Sequence, residues 1–271
     1  MVSIRRSMVP ILAILVSMLA ACAGNPPAAT AEIRQALAPT GKLRVGMYPG
    51  SPTSMIRDPK TGEMKGVTLE LGQELARRLG VPFEAVVFQR PAEVVDGVKS
   101  GNADILFTNA SPARAKDIDF TPAMLDIEQG FLALPGSPIS TSAMTEVDRP
   151  GIRVGVSQGS TSLGTLSRAF KNAKLVEVPN LKSAIEMLKQ RKVDAFASNK
   201  AILNELSDEL PGSKVLAGRF GLEHVALGIP KGRDPGMDYL RSFAREMMSG
   251  GYLDRAVETA GLRGTVKPES D

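Results

Sequence analysis

The chain of 271 residues contains no tryptophan, one cysteine and one histidine. Each shortage removes a class of function. Cys22 has no second cysteine with which to form an internal disulfide, and one cysteine with one histidine is too few for a zinc site. A Ser-His-Asp triad would rest on His224 alone, and a lone histidine is more often a packed or surface residue. No metal and no cofactor are expected. Lysine and arginine (33) nearly balance aspartate and glutamate (29), with no basic block and no arginine-aromatic stripe, so nucleic acid is not an expected partner. Apolar residues are plentiful: a 43% hydrophobic chain of this length can bury more than one core of ordinary domain size.

The amino terminus reads as an export signal. Arg5 and Arg6 precede an apolar stretch from Met8 to Leu19, which is too short and wrongly flanked for a stable membrane span. Leu19 to Cys22 (LAAC) resembles a bacterial lipobox, which makes Cys22 the lipidated first residue. Ala21 to Ala23 also fits an A-x-A cleavage site that would remove it. The lipobox is favoured because the only cysteine stands where it is required. Residues 1–22 are thus expected to be a signal peptide with lipobox, and 23–40 a flexible tether.

Two stretches recur. RVGMYPGS (44–51) and RVGVSQGS (153–160) share R-V-G-x-x-x-G-S, and KSGNADILFTN (99–109) and KQRKVDAFASN (189–199) share K-x-x-x-[AV]-D-x-x-x-[TS]-N. The order is the same in both halves, which predicts two similar lobes. Each half alternates strand and helix patterns. KLRVGM, PFEAVVF and ADILF in the first half, and IRVGV, KLVEV and VDAFA in the second, read as strands. GVTLELGQELARRLG, closed by Gly80, and AEVVDGVKSG read as helices, as do STSLGTLSRAFKN, capped by Ser160, and LKSAIEMLKQRK. This order predicts an α/β fold of parallel sheets with helices on both faces, binding its ligand beyond the carboxyl ends of the strands. Gly50-Ser51, Thr108-Asn109, Gly159-Ser160 and Ser198-Asn199 occupy those ends. QGFLALPGSPIS (129–140) and LEHVALGIPKG (222–232) read as crossing strands, and the helical tail after Pro235 as a return to the first lobe, giving a two-stranded hinge.

The candidate chemistry is anion capture. Gly159, Ser160 and Thr161 open a helix, whose free amides and dipole favour an anion. Arg114, a few residues beyond a buried strand, offers a guanidinium fork suited to a carboxylate. A cleft gripping one anionic group from both lobes would close by binding the closed state better.

GKLRVGMYPG, GVTLELGQELARRLG, VKSGNADILFTNASPARAKDIDFTPAM, GIRVGVSQGSTS and RKVDAFASNKAIL together resemble the bacterial extracellular solute-binding proteins of family 3 over roughly residues 40 to 262. These are extracytoplasmic receptors of ABC importers, mostly for polar amino acids. The resemblance implies a type II periplasmic-binding-protein-like fold with lobe 1 at 41–134 and 230–271, and lobe 2 at 135–229 with hinge strands at its edges. It also implies a monomer in the periplasm or cell envelope, which hands a small carboxylate-bearing solute to an ABC permease complex in the inner membrane. Arg114 would pair with the solute carboxylate beside Thr108, Asn109 and Ser111, with Gly159, Ser160 and Thr161 opposite. Ser51 would line the same mouth.

The sequence departs from the family where the ammonium of an amino acid is held. Asn199 and Lys200 stand in place of the usual aspartate. Thr68 and Glu70 stand in the family's G-[FY]-D-x-D stretch, and Arg90 and Pro91 stand near its aromatic wall. This pattern points away from a standard amino acid, and least of all to lysine or arginine. The expected solute is an amino acid or a related organic acid, with a small organic acid, a dicarboxylate or an amine-masked compound as candidates unless Glu70 faces the cleft and supplies the missing charge. The alternative is an enzyme resembling a periplasmic cyclohexadienyl dehydratase, with Glu70 and Lys200 as a proton-transfer pair.

Overall fold

The computed structural model describes residues 29–266; the export signal and Cys22 lie outside them. The first lobe opens with α1 (Ala31–Leu37), β1 (Leu43–Met47), β2 (Ile56–Arg57), β3 (Met64–Lys65), α2 (Val67–Leu79), β4 (Phe83–Val87), α3 (Pro91–Lys99) and β5 (Leu106–Asn109). A 3-10 turn, Arg114–Lys116, and β6 (Ile118–Phe120) lead to β7 (Leu125–Ala133), which leaves the lobe. The second lobe holds α4 (Met144–Val147), β8 (Arg153–Ser157), α5 (Thr161–Ala169), β9 (Lys174–Val178), α6 (Leu181–Lys189), β10 (Ala195–Asn199), α7 (Lys200–Asp208) and β11 (Lys214–Val215). The chain returns through β12 (Gly221–Pro230) and ends in α8 (Asp234–Ser249), α9 (Tyr252–Ala260) and β13 (Thr265–Val266).

Two crossing strands form the expected hinge: β7 and β12 pair antiparallel from Gly221 opposite Gln129 to Val225 opposite Leu125. The sheets are mixed where all-parallel ones were expected. β1 and β4 are parallel, and Val45 bridges Ile105 in the same sense, but β5 pairs antiparallel with β12. In the second lobe β9, β8 and β10 are parallel, while β10 pairs antiparallel with β7. The reason is connectivity: each hinge strand closes the inner edge of a parallel sheet while running from one lobe to the other.

Strand alternation builds a core on each face of the sheets. Ile105 and Phe107 join the cluster under α2 and α8, with Leu75, Leu240 and Phe243, whereas Leu106 joins Val94, Val98 and Ile118 under α3. In the second lobe Phe131, Ala195 and Ala197 face Leu166 of α5, while Leu132 and Phe196 face Leu188, Leu203 and Leu206 of α6 and α7. Such two-faced burial is what continuous apolar strands require.

The tether expected over 23–40 is in part a helix. The Thr30 hydroxyl caps α1 by accepting from the Ile33 amide (3.2 Å), Leu37 is buried in the first core, and Arg233 Nη1 donates to the Ala36 carbonyl at 3.1 Å. Ile33 and Leu37 are four apart, so one turn of helix gives α1 an apolar edge that packs on α8.

The sequence repeat proves architectural. In the first lobe Asp104 accepts from the Arg44 amide and Nε (3.0 Å each) and from Nη2 (2.7 Å). In the second lobe Asp194 accepts from the Arg153 amide (2.8 Å), Nε (3.1 Å) and Nη2 (2.8 Å). One staple thus ties the first strand of each lobe to a later turn: β1 to the turn before β5, and β8 to the turn before β10. The Arg153 hydrogen bonds hold the Asp194 carboxyl below its ordinary range, so this stabilisation is present at neutral pH and is lost as pH falls below that range. Asp104→Ala is expected to destabilise the protein by about 3 kcal/mol or more, because it leaves the Arg44 charge half-buried without its partner. The more exposed Asp194→Ala should cost less, a ranking that urea denaturation of the two variants checks.

Candidate functional site

The carboxyl ends of the strands in both lobes face one cleft between them, as strand–helix–strand sheets place a ligand site. Thr108, at the end of β5, and Arg114 line it from the first lobe. Arg114 Nη1 donates to Thr108 Oγ1 (2.7 Å) and to the Asn109 carbonyl (3.2 Å), which points the guanidinium while leaving its remaining donors uncommitted. Burial pulls the Arg114 pKa down, and the nearby Glu223 and Tyr48 oppose that shift. Across the cleft, Ser160 and Thr161 line the start of α5, with Ser160 Oγ accepting from the Leu163 amide at 3.1 Å.

Glu223 of β12 lines the same cleft and is buried. Its Oε2 accepts from Asn199 Nδ2 (2.8 Å) and its Oε1 from Gln129 Nε2 (3.1 Å); Gln129 also donates to Ser162 Oγ (3.1 Å). All three residues come from the hinge or its borders. Gly221 permits the arrangement, since a Cβ there would lie 2.6 Å from Gln129 Oε1. Burial raises the Glu223 pKa above its ordinary 4.5, against the lowering by Asn199, Arg114 and Gln129. No nitrogen–oxygen contact within 4.0 Å joins Arg114 to Glu223, although each shifts the other's pKa. The cleft therefore holds a half-buried cation and a buried acid, separately anchored by neutral groups. Tyr48 lines the space near both, its phenol pushed up to about 12 mainly by burial.

The lobes touch across the mouth. Arg90 Nη1 donates to Gln158 Oε1 at 2.6 Å, and Gly159, with φ +67°, lies so close to Ala92 that an added Cβ would stand 2.7 Å from the alanine methyl. Among the described residues there is no cluster of three histidine, cysteine or acidic side chains able to hold a metal. Among them, too, no helix is long and apolar enough to cross a membrane.

Residues 43–259 match the bacterial extracellular solute-binding proteins, family 3. The chain belongs to this family. It is 22% identical to the glutamine-binding protein GlnH of a Bacillus subtilis ABC transporter, over 88% of this chain and 90% of that one. Its fold is similar to that of AbpA, an amino acid ABC transporter substrate-binding protein of Streptococcus pneumoniae solved with L-arginine. That likeness has a TM-score of 0.75 at 20% identity, covering 83% of this chain and 97% of that one. It is also similar to an ancestral amino acid-binding protein described as a precursor of cyclohexadienyl dehydratase (TM-score 0.70, 22% identity, 81% and 95% covered). The two lobes and crossing hinge strands are thus those of the type II periplasmic amino acid-binding fold.

Within this family fold the residues expected from sequence divide into groups. Thr108, Arg114, Ser160, Thr161, Asn199 and Arg90 line the cleft together. Asn109 and Ser111 support Arg114 from behind. Asn109 Oδ1 accepts the His224 amide (2.8 Å), and Ser111 Oγ accepts the Arg114 amide (3.4 Å). Gly159 and Ser111 line an adjoining groove instead of the main cleft. Ser51 is fully buried with its hydroxyl unbonded and does not line the cleft. Glu70 does not line it either: it lies on α2, where its carbonyl accepts from the Tyr252 hydroxyl (3.3 Å) on the α9 side. Lys200 is tied to Glu128 (2.5 Å), so it neither repels a ligand nor pairs with Glu70.

Sequence reasoning missed Glu223, Gln129 and Tyr48. A signal for the first was present. In Leu222-Glu223-His224-Val225 a strand alternates faces, and the side chain that shares Val225's buried face is an acid. A buried acid amid apolar neighbours is a functional candidate.

The sign of the Glu223 effect is testable. Between 4.5 and its raised value the folded chain holds a proton that the unfolded chain has released, so ligand-free stability falls as pH rises through that window. Glu223→Gln should flatten that slope in a series of thermal melts from about pH 4 to about pH 8. An unchanged slope would assign the pH dependence to other groups.

Proposed function

We propose that the protein is the solute receptor of an ABC importer, that its solute is an amino acid, and that it is exported to the cell envelope. The observation that carries this reading is the separation of Arg114 from Glu223 in one buried cleft. A zwitterion supplies the two charges they lack: its carboxylate meets the guanidinium and the Ser160-Thr161 end of α5, and its ammonium meets Glu223. The missing aspartate at Asn199 is then replaced from the hinge, with Asn199 as the group that orients the substitute. The names of the relatives, glutamine and amino acid binders of ABC transporters, agree with this reading. No step of covalent chemistry is assigned to the cleft, because the pair that would have served a dehydratase, Glu70 and Lys200, is not brought together there.

The reading predicts that amino acids raise the melting temperature of the purified protein and that matched acids without the amine do not. A ligand at a hundredfold excess over its Kd stabilises the folded state by about 2.7 kcal/mol, an effect plain in a melting curve. Arg114→Ala should abolish the shift. Glu223→Gln should abolish it for amino acids, and binding to the unaltered protein should weaken as pH falls and Glu223 takes up a proton. Equal shifts from an amino acid and its deaminated match would refute the ammonium site.

A further inference from the structure

Among the described residues, three that line the cleft carry charged side chains: Arg90, Arg114 and Glu223. If, as proposed above, Arg114 and Glu223 take the two ends of the zwitterion, Arg90 is the charge left over. Among the described residues, no second acid lines the cleft to meet a cationic side chain. The groups near Arg90 are donors as well. Asn180 commits its Oδ1 to the Ser183 amide (2.9 Å) as the cap of α6, which leaves its NH2 for the cleft. Gln158, which Arg90 reaches across the mouth, has its backbone amide on the Val178 carbonyl (3.0 Å), so the ends of β8 and β9 meet beside Asn180.

Arg90 is only partly neutralised. Glu93 Oε1 lies 3.1 Å from Arg90 Nε, yet that N–H is buried and makes no hydrogen bond, so the contact is one of charge alone. Glu93 does not line the cleft, and its other oxygen accepts from the Gln89 amide (3.0 Å). Arg90 thus presents a charged donor at the lobe boundary, with Nη1 on Gln158 and further N–H groups to offer.

We propose that Arg90 is a specificity-determining residue. It selects an amino acid whose side chain ends in an acceptor oxygen, a carboxylate ahead of an amide, and it rejects cationic side chains. The charge count makes the point: two cations and one carboxylate in the lining are matched by a solute with one ammonium and two carboxylates. The Streptococcus pneumoniae protein solved with L-arginine shares the fold, so the selection rests on side chains such as Arg90 and not on the scaffold.

Titration calorimetry on the purified protein with L-glutamate, L-glutamine, L-arginine and L-lysine tests this. Glutamate should bind best, and the basic pair roughly tenfold or more weaker, since one charge-assisted hydrogen bond is gained or lost. Arg90→Met should collapse the glutamate-to-arginine ratio. Gln158→Ala removes the cross-lobe bond but keeps the arginine, so it should leave that ratio intact even if all affinities fall. A protein that prefers arginine or lysine overturns the proposal, as does a ratio that Arg90→Met leaves unchanged; both leave the amino acid reading standing. If none of the twenty common amino acids binds, that reading fails and this inference fails with it.

Discussion

The cleft depends on holding a guanidinium and a carboxylate in the same buried space while keeping them from closing on each other. Taken alone, each group would be costly to bury, by several kcal/mol even after relaxation. A direct ion pair would remove much of that cost and would also fill the site. The fold instead gives each charge its own neutral partners: Thr108 Oγ1 and the Asn109 carbonyl for Arg114, and the amides of Asn199 and Gln129 for Glu223. These partners fix direction without cancelling charge. The raised Glu223 and lowered Arg114 pKa values record the remaining imbalance. On the proposed reading, a solute of complementary charge relieves this electrostatic arrangement, an exchange of stability for function.

The placement of Glu223 joins this electrostatic problem to movement. Arg114 belongs to the first lobe, Ser160 and Thr161 to the second, and Glu223 to a strand that runs between them. A solute that spans these groups reaches all of them only when the lobes are together. Its binding energy therefore favours the closed arrangement by as much as it binds that arrangement better than the open one. The mouth is built for close approach on both sides. Gly159 sits in a left-handed conformation against Ala92, and Gly50 lies so near Leu181 that an added Cβ would be 3.0 Å from its Cδ1.

Much of this was legible in the sequence, and the exceptions have physical causes. Helices with strong ends were clear: Gly80 closes α2 with a left-handed cap, and Ser160 opens α5 with its hydroxyl. The hinge strands showed as apolar runs at the borders of the repeat. Arg114 stood out as an arginine past a strand end. Glu223 was hidden because its strand reads as a connector, and because its partners Asn199 and Gln129 are distant in sequence and meet it only through the pairing of β7 with both β10 and β12. Glu70 misled for the opposite reason: it is near the family motif in sequence, but the turn of α2 carries it toward α9 and away from the cleft.

The repeat shows how one duplicated scaffold yields an asymmetric site. Its arginine and aspartate make the same staple in both lobes and take no part in the cleft. Its two asparagines converge on neighbouring residues of one hinge strand. Asn109 accepts the backbone amide of His224, and Asn199 donates to the side chain of Glu223. The first contact adds to the pairing of β5 with β12; the second reaches the acid that lines the cleft through the same residue type at the matching position. Because β12 is shared, it can show only one of these adjacent side chains to the cleft. Alternation gives that place to Glu223 and turns His224 outward to Asp126 (2.8 Å). The lobes therefore cannot carry equivalent acids on this strand. The single acid lies nearest the second lobe's asparagine, which leaves the first lobe to supply the cation, as Arg114 does.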